Sequence, residues 1–311
     1  MKRVTGVVIL SVVLASALLT ARWIGERYVP SPRSESAGGV ARNPAFLRKA
    51  KIALEAYSRL PERDQEALRA NLRRNIVAYD TWVKRLRESD VKLLCLGENH
   101  EDTTRQFLAE KFFNRVKIDV LVLEATPEQL GQIGQELRWQ RKRVLLLGAD
   151  IAGIIRAARG VNPDIELVGA EETKSQWSAR REPHIRATRD DSIQSNFWGH
   201  FRYGPRYAIL FGALHCQEKG EWLFGAVHRR APRRVADKML NVRAVEVHQE
   251  GPVEALAYFL QAIGVQRENF VVIDTKAVHP QIYEWFDLLG MMLKDFSVLM
   301  VFRNDREIAN G

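Results

Sequence analysis

Residues 92–100 read Lys92-Leu93-Leu94-Cys95-Leu96-Gly97-Glu98-Asn99-His100. The apolar run stops at Gly97 and delivers Glu98 and His100 at its C-terminal end, and an amphipathic helical pattern begins near Asp102. Strand, turn and helix in that order build parallel sheets. In open α/β sheets the carboxyl ends of the strands carry the chemistry. A carboxylate and an imidazole two positions apart can share a proton or bind a metal together.

The pattern repeats downstream. Strands are expected at 92–96, 119–123, 165–169, 207–211, 242–247, 270–273 and 298–302, and helices at 102–116, 127–138, 150–158, 183–201 and 252–263. The strands are rich in Val, Ile and Leu without alternation, so both faces are buried. The fold class is therefore α/β, a largely parallel sheet flanked by helices. Residues 144–147 fit either a strand or a helix start, and the direction of the last strands is open.

Upstream, Lys2 and Arg3 precede an uncharged, largely apolar run over 4–21 that Arg22 ends. Its length is near the minimum for a spanning helix. Residues 1–28 read as a signal anchor in preference to a cleaved signal peptide. The chain would then meet the membrane through 4–21 with its globular part exported, periplasmic or extracytoplasmic, and it would be secreted if the segment is cleaved. Residues 29–44, rich in Pro, Ser, Gly and Arg, read as a flexible linker. Residues 45–90 form a helical extension divided by Pro61, with Trp82 and Leu86 on one face. The α/β domain occupies 91–311.

With 46% hydrophobic residues the chain can build a sizeable core, and its formal charge is +9. The basic residues cluster: Arg138, Arg141, Lys142 and Arg143 form one run, and Arg229, Arg230, Arg233 and Arg234 another. Such runs serve as solvated surface or meet an anionic membrane or nucleic acid. Apart from Trp139 no aromatics are interleaved for base stacking, which argues against nucleic acid. The two cysteines, Cys95 and Cys216, lie in strand-like runs: a single bridge is conceivable if those strands are neighbours, and small buried residues are the preferred reading.

Three strands end in ionisable residues. The first ends in Glu98 and His100, the second in Glu124, and the run over 207–215 in His215. Parallel neighbours put all four on one rim. Two histidines and two carboxylates suit a divalent metal site with open positions. They equally suit a metal-free acid–base set in which a histidine activates water. In either case His100 and His215 hold the metal or move the proton, Glu98 is a ligand or general base, and Glu124 is a second carboxylate. Glu171 is a secondary acid near the same rim. Each carboxylate also has a duller reading as a helix N-terminal charge.

Gly97-Glu98-Asn99-His100, Leu123-Glu124 and Gly212-Ala213-Leu214-His215 together resemble the superfamily that joins ChaN-like haem-binding uptake proteins, Tiki/TraB proteins and erythromycin esterases. The two-residue spacing of Glu98 and His100 is nearest the ChaN-like form. The resemblance spans about residues 90–303. It implies that Glu98, His100, Glu124 and His215 line the active cleft. The activities it implies differ: divalent-metal-dependent peptide cleavage, metal-independent ester hydrolysis, or haem binding. An arginine-bearing helix start between the second and last motifs matches Arg189 and Asp190, with Arg186 one turn earlier, in an anion-orienting or charge-balancing role.

The leading expectation is therefore a hydrolase acting through activated water on a small-molecule or peptide substrate, with a divalent metal ion as its cofactor in the metal-dependent form. The alternative is a non-catalytic haem- or metal-binding protein at the membrane. A phosphate loop at 148–153 and a serine-hydrolase elbow are excluded by their missing residues. The other histidines carry less. His184 and His200 fall in one expected helix without ligand partners, His228 adjoins the basic run, His248 ends a strand, and His279 precedes Pro280.

Overall fold

A computed structural model of the chain describes residues 44–303 except 183, 185 and 267, without the side chains of 291 and 292. The expected membrane segment and nearly all of the linker lie outside the described residues. Among the described residues no helix is long and apolar enough to cross a membrane.

The domain is α/β, built on one eight-stranded, mostly parallel sheet flanked by helices. Its strands are β1 (Ile76–Ala78), β2 (Leu93–Glu98), β3 (Val120–Leu123), β6 (Glu166–Gly169), β7 (Tyr207–Gly212), β8 (Met239–Glu246), β9 (Phe270–Val272) and β10 (Val298–Phe302). A separate hairpin pairs β4 (Leu145–Leu146) with β5 (Ala149–Asp150). The order across the main sheet is β1-β9-β10-β8-β2-β7-β3-β6. From β10 to β6 all neighbours are parallel, whereas β9 runs antiparallel to both β10 and β1.

Strand β2 shows why the sequence chooses this layering. Leu94 and Leu96 face one core and Leu93 and Cys95 the other. That is the period of two expected of a strand, and here both faces are apolar because both are covered. The helices of the extension, Pro44–Ser58 and Glu62–Asn75, are joined to the sheet by β1, which interrupts the expected all-helical stretch. Ala50, Ala53, Leu68 and Leu72 complete a third core with Val253, Leu256 and Phe259 of the helix Gly251–Ala262.

Two helices depart from their sequence reading. The expected helix over 102–116 is α-helical from Asp102 to Phe107 and continues as a π-helical turn over Leu108–Phe113. The one expected over 183–201 spans only Arg189–His200, because Thr188 starts it with a reciprocal cap, its hydroxyl accepting from Asp191 N. His184 and His200 therefore do not share a helix, and both are exposed.

Strand β7 is inserted between β2 and β3, although it follows both in the chain. All three parallel strands end at one edge, and the chain changes its winding direction there. Such a switch point leaves a crevice outside the strand ends.

Candidate functional site

The crevice is lined from β2 by Glu98 and His100, from β3 by Glu124, and from the 3₁₀ turn Ala213–Cys216 after β7 by His215. Two glycines allow this crowding. A Cβ on Gly212 would stand 3.0 Å from His100 Nε2, and one on Gly97 would stand 3.0 Å from Ala213 Cα. His100 itself adopts a left-handed backbone, φ 55°. That conformation is uncommon outside glycine and recurs at functional sites.

The four side chains form a continuous line. His100 Nδ1 lies 3.2 Å from Glu98 Oε1, and its Nε2 lies 3.3 Å from Glu124 Oε2. Glu124 Oε1 lies 3.6 Å from His215 Nε2. Glu124 accepts the Gly212 backbone N–H at 2.7 Å and the Arg189 Nη2–H at 2.8 Å.

Burial disfavours a charge on His100, but the flanking Glu124 and Glu98 outweigh it and push its pKa up to about 9. Glu124 shows the same contact from the other end. Its burial is outweighed by hydrogen bonds from His100 and the Gly212 amide and by the nearby His215, and its pKa falls to about 2. The imidazolium of His100 can donate from Nδ1 to Glu98. Arg105 Nη2, at 3.1 Å from the same nitrogen, would suit only the neutral ring, and two carboxylates against one guanidinium favour the charged one.

His215 is held differently. Asp190, buried on the helix Arg189–His200, places Oδ2 3.0 Å from His215 Nδ1. With its Nδ1–H given to Asp190, the ring presents a lone pair at Nε2, and Arg189 Nη1 faces that atom as a donor at 3.3 Å. Arg189 also clamps Glu171 with two nitrogens. Its pKa is raised, first by that hydrogen bond against the cost of burial. The secondary residues Glu171, Arg189 and Asp190 thus belong to the same cluster, whereas Arg186 is exposed outside it.

Two features escaped the sequence reading. Arg105 is almost fully buried and uses Nε on Glu98 Oε1 at 2.7 Å and Nη1 on the carbonyls of Leu146 and Ala149 at 2.6 and 2.8 Å. Its only signal was an arginine among the inward positions of the first helix after β2. The second is a correction: Cys95 and Cys216 are bonded as a disulfide, not separate thiols, with their Cα atoms 5.5 Å apart. Lacking a side chain at Gly97, β2 lets the turn after β7 fold back across it, which brings Cys216 onto Cys95. The remaining histidines stand outside this line: His248 lies 3.4 Å from Glu254, and His279 caps the helix Pro280–Trp285.

The donor set does not fit a metal ion as it is folded. Among the described residues no group of three or more His, Cys, Asp or Glu side chains is arranged to hold one. Glu98 and Glu124 already accept from guanidinium groups, and His100 directs both ring nitrogens at carboxylates. Neither a protein-family model nor a curated protein matches the chain.

A groove of about 630 Å³ is lined by Thr126, Glu128, Thr173, Lys174, Ser175 and Ser178, and by none of the rim residues. Thr126 lies two residues beyond Glu124, and Thr173 two beyond Glu171.

Proposed function

We propose that the rim is a metal-free hydrolytic site that activates water against an ester or amide carbonyl. The observation that carries this is the opposed state of two imidazoles joined by one carboxylate. His100 is a charged ring held between Glu98 and Glu124, and His215 presents a lone pair with Asp190 behind it. An imidazole held as a cation beside one whose Nδ1 faces a carboxylate supplies an acid and a base.

His215 Nε2 takes a proton from water as its oxygen attacks the carbonyl carbon. The Arg189 guanidinium steadies the oxyanion, an interaction worth most where water is excluded. His100 Nε2–H then protonates the leaving oxygen or nitrogen as its bond to carbon breaks. Glu124 lies between the two rings and returns the proton from His215 to His100. Glu98 is 1% exposed and acts through His100, which makes it a positioning residue. The two-residue spacing of Glu98 and His100 departs from the erythromycin esterase form, so the metal-free reading rests on the hydrogen bonds of the rim itself. The buried disulfide supports a location in an oxidising compartment, in keeping with export behind residues 4–21.

The test is hydrolysis by the full-length chain of a panel of activated esters and short peptides, with and without a chelator, beside His215→Ala and His100→Ala. Chelator-resistant turnover lost in both variants is expected. Turnover that both variants retain, or that needs an added divalent metal, overturns the reading.

A further inference from the structure

The hairpin β4–β5 carries apolar side chains where a hairpin ordinarily has none. Val144 and Leu146 turn inward and are buried, and Leu145 and Leu147 alternate outward at 56% and 47% exposure. The tip is Leu147-Gly148, with φ of 53° and 86°. Two consecutive positive φ values define a turn that favours Asn-Gly or Asp-Gly. A leucine there opposes both backbone preference and solvation, and such a residue at an exposed position points to function. Trp139, at the end of the helix Pro127–Arg138, is 69% exposed a few residues before the hairpin.

Between these apolar groups lies the first basic run. Arg138, Arg141, Lys142 and Arg143 are all exposed, and Arg143 is paired with Asp102. We infer that the segment 138–148 docks the domain on an anionic lipid bilayer, with Leu145 and Leu147 entering the acyl boundary, Trp139 at the headgroup level and the basic residues on the lipid charges. Interfacial binding combines these same elements, apolar insertion and attraction to anionic headgroups. Tryptophan favours the membrane interface. Nucleic acid fits less well, because aliphatic leucines offer no stacking face and one tryptophan is no platform.

The hairpin is not a loose appendage. The carbonyls of Leu146 and Ala149 accept from Arg105, and Asp150 N–H donates to Asp102 Oδ1 at 2.7 Å. Docking therefore fixes the orientation of the Glu98–His100 side of the rim toward the bilayer. Docking of this segment requires no hydrolysis at the rim.

The two native cysteines are bonded to each other, so one added cysteine is the sole thiol. The full chain carrying Leu147→Cys is labelled with an environment-sensitive fluorophore and reconstituted into vesicles of phosphatidylcholine with or without phosphatidylglycerol. Lys117→Cys, exposed just before β3 at the opposite sheet edge, is the control. With the anionic lipid, the label at 147 should shift to the blue and be quenched by doxyl-labelled lipid, while that at 117 stays in water. Adding Arg138→Gln, Arg141→Gln and Lys142→Gln should lower the docked-to-undocked ratio about tenfold or more. A label at 147 that stays in water in both vesicle types overturns the inference. So does equal quenching at both positions, or a response to duplex DNA or an acidic polypeptide without one to vesicles.

Discussion

Asp190 Oδ2 lies 3.0 Å from His215 Nδ1 and also accepts the backbone N–H of Leu223 at 2.7 Å. The second bond fixes the orientation of the carboxylate, and the carboxylate fixes the tautomer of the ring. In Asp190→Asn the Leu223 N–H keeps an oxygen at the Oδ2 position, which still accepts from Nδ1. The amide carries no charge to steady the imidazolium that forms when the ring takes a proton, and the base is weakened. Hydrolysis should fall about 100- to 10,000-fold, the range of a general base, with the melting temperature little changed. Nitrogen NMR of the imidazole checks the tautomer directly. A variant that keeps Nδ1–H and full turnover would remove Asp190 from the mechanism.

The strand-end groups were legible in the sequence because topology does the collecting. Parallel strands with apolar residues on both faces must end at one edge, so Glu98, Glu124 and His215 had to share it. What periodicity does not encode is strand order. Nothing in the run over Tyr207–Gly212 says that it inserts between β2 and β3, and that insertion is what brings His215 to Glu124 and Cys216 to Cys95. Arg105 was illegible for a related reason. An arginine on a helix is ordinarily solvated, and its burial depends on carbonyls of Leu146 and Ala149 contributed from more than forty positions away.

The contact between His100 and Glu124 makes stability depend on pH at both ends. The pKa of His100 is raised, from 6.5 to about 9. Its contribution is complete below 6.5 and is lost as pH rises through 9. The pKa of Glu124 is depressed, from 4.5 to about 2, so its contribution is present above 4.5 and lost as pH falls toward 2. Both shifts describe one contact and are not summed. Proton NMR should place the His100 midpoint near 9, and Glu124→Gln should lower it. The alkaline limb of a pH–rate profile should follow the same midpoint. An unshifted midpoint in the wild-type protein would falsify the imidazolium assignment.

Removing Arg105 should cost more than its single ion pair suggests. Glu98 is buried, and among the described residues its Oε2 has no hydrogen-bond partner. Arg105→Met takes the guanidinium from the other oxygen, Oε1, and leaves the buried carboxylate with the His100 Nδ1–H alone, a loss of up to about 3–5 kcal/mol. The double variant Arg105→Met/Glu98→Gln removes the charge as well and should recover part of that stability. Urea denaturation of the two variants measures the difference. A double variant no more stable than the single one contradicts the uncompensated-charge explanation.

The disulfide closes a loop of 121 residues and joins β2 to the turn that carries His215. Chain entropy puts its contribution at up to about 5 kcal/mol for a loop of that length. Cys95→Ala/Cys216→Ala should melt well below the wild type, and strong reductant should lower the wild-type melting temperature toward that of the variant. Reductant should leave the double variant itself unaffected. Wild type and variant melting together without reductant would mean that the covalent link is dispensable.

Two glycine-to-alanine changes should move stability in opposite directions. A methyl at Gly212 meets His100 Nε2 at 3.0 Å and Glu124 Oε2 at 3.5 Å. The imidazole must retreat from its carboxylate, and overpacking of this kind costs about 1–3 kcal/mol. Gly134 lies inside the helix Pro127–Arg138, and a methyl there meets nothing within 4 Å. Gly134→Ala should stabilise by about 0.5–1 kcal/mol, since alanine loses less backbone freedom in a helix. Gly212→Ala should also lower the His100 midpoint, because the ring gives up part of its contact with Glu124. If Gly212→Ala leaves both stability and the His100 midpoint at their wild-type values, the close approach of the ring to that backbone is wrong.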